Sequence, residues 1–411
     1  MSRRTNVSFQ DSLSSVLIND NFKMVDLLDV IEDFTDSGNS AQNPVESDLC
    51  RMLSLHSVHS NTSSSSSALL HDTAQSEDDE EYRKIGAGAC GVVFNQIGTP
   101  LAFKVAKAGY EADLWNDAKM HTAIKAAFDK FGGTDLHSFK IPQFFGYVPE
   151  STTEYFANHP KLFQVASEEC SDPSHVLISE RQLIEKYCAA RIRPIALQDA
   201  ANKDCLVRLY LGSLRGRTIA NFFSLRNFKL HLNQMDELHL DVETLAHKMG
   251  SALAIMHWAA KTDARDVEFA LGSSVEKNAL SIPLILEDKG TDKPWYYVGP
   301  PKPRNQDFSI RTTELWALDF NQVQPITLDD DGVAKAINAV KINDPYFPRP
   351  HGKSIIERRA WNAFVHGYAK MSYRILGEND SRHEATLELP GKFLKGLREA
   401  FATEETKLRG S

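Results

Sequence analysis

From Tyr82 onward the chain alternates between short apolar runs and long amphipathic stretches. Gly91-Val92-Val93-Phe94 and Leu101-Ala102-Phe103-Lys104-Val105 are β-branched and aromatic-rich, and they read as two strands joined by a turn at Gly98-Thr99-Pro100. Over 111–130 the period changes to that of a helix, with Leu114, Ala118, His121, Ile124 and Phe128 on one face. Strand-like segments follow at 144–148, 176–178 and 206–211. A second helix is predicted over 242–259, where Leu245, Met249, Ala252, Leu253 and Met256 form the apolar stripe. A strand pair is expected near 267–271 and 315–320, and helical patterns dominate 353–376 and 391–406. Strands are concentrated early and helices late, which predicts an α+β chain with a β-rich first half and a helical second half.

Residues 1–80 have a different texture. They hold five consecutive serines, Ser63 to Ser67, and lead into Glu77-Asp78-Asp79-Glu80-Glu81. Such a segment buries too little apolar surface to offset chain entropy, so a disordered tail is expected. Within it, Met24, Leu27, Leu28 and Ile31 repeat at helical spacing over Phe22 to Phe34. That reads as a transient helix or, alternatively, as a docking element for a protein partner.

Composition narrows the function classes. With 46 basic against 55 acidic residues the net charge is −9, so no nucleic-acid surface is expected. The five cysteines (Cys50, Cys90, Cys170, Cys188 and Cys205) are scattered and lack zinc-ligand spacing, which fits a reducing compartment. No apolar run reaches the roughly 20 residues of a membrane span. Cytoplasm or nucleus is the expected location, with no membrane partner.

The candidate chemistry lies in five elements. The first is Gly86-x-Gly88-x-x-Gly91-x-Val93. Glycines let backbone N–H groups approach phosphates closely, and here the loop runs into a strand rather than into a helix, as in a kinase phosphate flap. The second is Lys104 within an apolar strand, where its charge needs a partner such as nucleotide phosphates. The third is an acidic partner on the following helix. Glu111, Asp113 and Asp117 are available, and Asp117 is preferred for its place beside Leu114, Ala118 and Met120. The fourth is Asp319-Phe320-Asn321 at the end of an apolar strand, placing Asp319 as a metal-binding carboxylate. The fifth is the charged loop Asp263-Ala264-Arg265-Asp266-Val267-Glu268, in which Asp263 would act as the catalytic carboxylate, Asp266 as its rival, and Glu268 as the second metal ligand. A turn-forming or solvated role is the plain alternative for each of these acids.

These elements occur in the order that a kinase fold requires. The chain therefore resembles protein-kinase-like and aminoglycoside-phosphotransferase-like enzymes, which implies a two-lobed α+β fold with a β-rich N-lobe (81–215) and a helical C-lobe (216–400), followed by a short tail (401–411). Residues 150–205 and 275–312 read as insertions. The resemblance implies ATP and Mg²⁺ as cofactors, with Gly86, Gly88, Gly91, Val93, Lys104 and Asp117 binding nucleotide. It also implies an acceptor that the motifs do not identify. The pattern departs from protein kinases in four places: there is no His-Arg-Asp triplet, Glu268 stands for Asn, Asn321 stands for Gly, and no Ala-Pro-Glu follows. Three functions stay open: an ATP-dependent phosphotransferase, a pseudokinase-like binding or scaffold module, and a regulatory protein whose tail does the work.

Five stretches carry a closer resemblance: Cys205 to Gly212, Phe222 to Phe228, Ala252 to Trp258, Asp263 to Phe269 and Asp344 to Pro348. They are similar to a fungal domain-of-unknown-function family often labelled "zinc finger protein", over about 82–400. That resemblance implies a domain identity and no reaction.

Overall fold

The computed structural model describes residues 82–409 apart from 88–89, 97–101, 134–138, 149–179, 200–201, 203–205, 220–222, 226, 276–310 and 378–383. The serine-rich tail, the 22–34 helix, the turn at 98–100 and the strand expected at 176–178 lie outside these residues. The chain is α+β. A three-stranded antiparallel sheet comes first, in the order β1 (Tyr82–Ala87), β2 (Gly91–Gln96) and β3 (Ala102–Ala106). Its own core is small. Tyr82 and Phe94 are buried, with Val92, Phe103 and Val105 packed against them.

Helix α1 (Glu111–Phe131) follows and buries Ala118, Met120, Ile124, Ala127, Phe128 and Phe131. A five-stranded mixed sheet comes next. Its strands are β4 (Phe139–Lys140), β5 (Val207–Tyr210), β6 (Phe228–His231), β7 (Glu268–Val275) and β8 (Arg311–Leu318), in the spatial order β4-β8-β7-β5-β6. β7 and β8 form the antiparallel pair expected from the pattern, with Glu268 opposite Leu318. The segment 144–148 departs from expectation. Residues 141–148 run as irregular chain without a strand partner, and Phe144 packs beside His121 instead.

The remaining helices are α2 (Glu180–Tyr187), α3 (Arg193–Gln198), α4 (Leu232–Glu237), α5 (Val242–Ala254), α6 (Asp330–Ile342), α7 (Ile355–Gly377), α8 (Glu384–Leu387) and α9 (Leu389–Arg409). The Asp241 side chain caps α5 by accepting from Thr244 N at 3.0 Å, and Asp329 caps α6 by accepting from Gly332 N at 2.9 Å. One continuous apolar core joins the five-stranded sheet to α1, α5, α6, α7 and α9.

Helices α5 and α7 cross with almost no space between their backbones. A Cβ on Gly250 would lie 2.1 Å from the Phe364 carbonyl oxygen, and one on Gly367 would lie 2.1 Å from that of His247. After Ala254 the helix widens into a π turn, Ile255–Ala259, with Ala260 N donating to Ile255 O at 2.9 Å. This turn delivers the 260–267 loop. It also buries His257 completely, with Nδ1 2.9 Å from the Tyr368 hydroxyl and its ring against Phe393.

Two outcomes are expected. Gly250→Ala must push α5 and α7 apart and should cost about 1–3 kcal/mol in urea unfolding. Burial holds His257 neutral, with its pKa lowered to about 3. The unfolded chain therefore takes up its proton first, and this residue makes stability fall as pH drops from about 6.5 towards 3. His257→Gln should be less stable than wild type at pH 7, and the gap should narrow by pH 4.5.

Candidate functional site

The β-register places three of the predicted residues in one row. Gly86 is opposite Val93, and Val93 is opposite Lys104. Cross-strand partners share a face, so Gly86, Val93 and Lys104 lie side by side across the small sheet. Around a Cβ built on Gly86 only the Val93 Cβ comes near, at 3.9 Å, so this position leaves space beside Lys104. Gly91 has a different reason to be glycine, because a Cβ there would meet the Val105 carbonyl oxygen at 2.7 Å. Its requirement comes from the close approach of β3. Gly88 lies outside the described residues.

Lys104 reaches two carboxylates. Its Nζ is 2.6 Å from Asp117 Oδ2 and 2.7 Å from Asp319 Oδ1. Burial alone would lower the lysine pKa, but the two aspartates outweigh it and hold the ammonium above its ordinary range. Of the three acids considered on α1, Asp117 is therefore the partner. Glu111 instead accepts from Gly109 N at the start of the helix. The other oxygen of Asp117 accepts from Phe320 N at 3.0 Å, and Asn116 donates to the carbonyls of Asn321 and Val323 at 2.9 and 3.0 Å. Phe320 is fully buried with its ring against His121. One turn of α1 thus grips the whole Asp319-Phe320-Asn321 segment. Asn321 in turn donates to the Cys90 sulfur at 3.0 Å, tying that segment to the glycine-rich turn.

The 260–267 loop is zipped to the chain after Asp319. Asp263 N donates to Gln324 O, and Asp263 Oδ1 accepts from Gln324 N at 2.8 Å and from Arg265 N at 3.0 Å. Burial raises the Asp263 pKa, and those two N–H groups oppose the shift. Asp263 thus serves as a loop clasp. Asp266 has a different setting. Its Oδ2 accepts from Gln322 Nε2 at 2.5 Å, its backbone N donates to Asn343, and its carboxyl is raised first by burial and then by the nearby Asp319 charge. Glu268 is partly buried at the start of β7, and its Oε1 is 2.7 Å from Arg208 Nη1. Burial, with Asp319 and Asp266 adding to it, pushes the Glu268 carboxyl up to about 7 despite Arg208 and Lys104. Asp266, Glu268, Asp319 and Lys104 therefore share one electrostatic field, whereas the charge that bears on Asp263 is that of Arg265.

Backbone strain marks the same two loops. Lys261, Ala264, Asp266 and Asp319 all have φ between 55° and 63°, the left-handed region that side chains avoid. Among the described residues no three His, Cys, Asp or Glu side chains converge to hold a metal unaided. Asp319 and Glu268 supply hard oxygens, the donor set that suits Mg²⁺ completed by phosphate and water. Arg208, which pairs with Glu268, was not legible as a site residue. Its charge sits in an ordinary β-strand, and only the register of β5 against β7 reveals its role.

A family model described as "Zinc finger protein" matches residues 315–380, which span the end of β8, the Asp319 turn, α6 and the whole of α7. The matched stretch contains His351 and His366 but no cysteine, so it does not fit the Cys/His set of a structural zinc site. No curated protein and no solved structure matches the chain. Among the described residues, no helix is long and apolar enough to cross a membrane.

Asp117→Ala should leave Lys104 with Asp319 alone and the Phe320 N–H without its carboxylate acceptor. Urea unfolding should report a loss of about 1–3 kcal/mol, against less than about 0.5 kcal/mol for the exposed Glu111→Ala.

Proposed function

We propose that this chain is a kinase-like protein that binds ATP with Mg²⁺ between the three-stranded sheet and the 260–268 loop, and transfers phosphate to an acceptor hydroxyl. One observation carries this reading. Lys104, beside the glycine-rich turn, meets the strand-terminal Asp319 at 2.7 Å although 215 residues separate them. Gly86, Val93 and Lys104 would receive the nucleotide, with Lys104 neutralising phosphate charge and Asp117 holding the ammonium in place. Asp319 and Glu268 would hold Mg²⁺, which supplies charge neutralisation on the phosphates. Asp266, raised by burial and facing the Asp319 charge, is the better-placed base. It would take the proton of the acceptor hydroxyl as that oxygen bonds to the γ-phosphorus. The bond from the γ-phosphorus to the β–γ bridging oxygen breaks, and ADP leaves.

A second reading, nucleotide binding without turnover, is favoured by a specific observation. Asp263 Oδ1 already accepts two backbone N–H groups, and Asp266 is held by Gln322. Both candidate bases are occupied.

Thermal unfolding with and without ATP and Mg²⁺ tests the shared part. Nucleotide at a hundred times its Kd should stabilise the fold by about 2.7 kcal/mol. Lys104→Met and Asp319→Ala should each abolish most of that gain. Turnover in wild type that disappears in Asp319→Ala supports transfer, and stabilisation without turnover supports the binding module. No stabilisation of wild type contradicts both.

A further inference from the structure

A cavity of about 440 Å³ opens beyond the end of β5 and shares no residue with the Lys104–Asp319 site. Its wall comes from the turn after β5, the end of β6 and the segment leading into α7. That turn is pinned from both sides. Leu211 N and Gly212 N donate to the carbonyls of Tyr346 and Pro345 at 3.1 and 2.9 Å, and Leu232 N donates to Ser213 O at 2.9 Å. Asn233 holds Gly216 twice, accepting from its N at 2.9 Å and donating to its carbonyl at 2.8 Å. A Cβ on Gly212 would lie 2.5 Å from the Phe347 carbonyl oxygen, so the close approach of the two segments requires glycine there. The cavity is thus fixed by backbone contacts, and its volume is that of a small-molecule site.

The polar groups on the wall are mostly donors. Half-buried Ser213 places Oγ 2.8 Å from His231 Nδ1 and accepts from Arg215 N at 3.3 Å. Burial and the nearby Lys229 lower the His231 pKa, so the ring is neutral at pH 7. Arg349 is held against the wall by Asp344, which accepts from its Nε at 2.6 Å and also from its Nη2, and this pair adds little net charge. Glu357 is the one acid on the wall. Its Oε2 accepts from Lys353 N, Ser354 N and the Ser354 hydroxyl at 2.7 to 3.1 Å, where the N-terminus of α7 offsets its charge. Arg215 is different: among the described residues its guanidinium pairs with no carboxylate. The cavity therefore presents one uncompensated cation on a pinned turn.

We propose that this cavity binds the phosphate of a small phosphomonoester, with the Arg215 guanidinium and the Ser213 hydroxyl on the phosphate oxygens. His231 donates its Nδ1 proton to Ser213 Oγ, which leaves the hydroxyl proton for the anion. A guanidinium fork and further donors reaching in from separate chain segments suit the three terminal oxygens of a phosphate better than a planar carboxylate. The organic part of the ligand fills the remaining volume. This site does not rest on the nucleotide reading, because none of its residues takes part in that reading.

The test titrates the full chain, isotope-labelled at histidine, with inorganic phosphate at pH 7 and constant ionic strength. NMR reads the ring signals of His231, assigned with His231→Gln. A saturable shift of that ring is expected. Arg215→Ala should weaken binding by about tenfold or more, the effect of losing a charge-assisted hydrogen bond. Arg217→Ala removes the same charge two positions away, outside the cavity wall, and should bind phosphate as wild type does. Acetate should bind about tenfold more weakly than phosphate. Glycerol 3-phosphate should bind at least as tightly as inorganic phosphate, because the cavity has room beyond the anion. Absence of a saturable His231 shift in wild type overturns the site, and so does an Arg215→Ala variant that binds as wild type does. Equal weakening in Arg215→Ala and Arg217→Ala overturns it too, because it reveals a diffuse positive surface. Acetate bound as tightly as phosphate overturns the phosphate assignment, and glycerol 3-phosphate bound more weakly than the free ion overturns the ester.

Discussion

A lysine ammonium drawn into an apolar sheet is costly unless carboxylates meet it there, and Lys104 is met by two. Asp117 comes from the next helix and Asp319 from a strand more than two hundred residues later. Asp117 also accepts the Phe320 N–H, so the same carboxylate anchors the small sheet and orients the turn that carries Asp319. Asn116 and His121, on the same helix, secure the next residues of that turn. Among the described residues, the three-stranded sheet has Tyr82 and Phe94 alone as a buried hydrophobic core of its own. Its attachment to the rest of the molecule therefore depends heavily on this polar junction, and that sheet also carries the open row Gly86, Val93 and Lys104.

The second half supplies rigidity. The backbone-to-backbone crossing of α5 and α7 at Gly250 and Gly367 fixes the helix that ends in the π turn at His257. From there the 260–267 loop is bound strand-like to residues 324–326, with Asp263 as its clasp. Four non-glycine residues with positive φ sit in these two loops, and the surrounding hydrogen bonds hold them there. The result is a set of carboxylates whose positions are set by backbone geometry rather than by free rotation on an open surface.

Much of this was legible in the sequence. The strand pairs around Val93 and Lys104, the helix at 111–130 and the β7–β8 pair follow from periodicity, because each buries one regular face. The lysine partner was legible in part, since helical spacing puts Asp117 on the inner side of α1 and Glu111 at its exposed start. Helix α6 has its signal too, with Asp329 as a cap ahead of Val333, Ala336 and Val340. By contrast, 144–148 has strand composition but no strand to pair with, and composition cannot reveal a missing neighbour. The separate duties of Asp263 and Asp266 were beyond reach for a related reason. Both are aspartates in one charged loop, and only the hydrogen bonds tell them apart, from Gln324 and Arg265 backbone N–H groups to Asp263 and from the Gln322 side chain to Asp266. Arg208 depended on sheet register, a property of two strands about sixty residues apart.

The central claim is that the carboxylates gathered around Lys104 form a divalent-cation site completed by nucleotide phosphate. Crystals grown with a non-hydrolysable ATP analogue and Mn²⁺ in place of Mg²⁺ test it most directly, because manganese reveals itself by anomalous scattering. The account predicts an anomalous peak within coordination distance of Asp319 and Glu268, with Lys104 on the phosphates. Bound analogue with the peak away from both carboxylates, or crystals with neither analogue nor peak at that site, would contradict it.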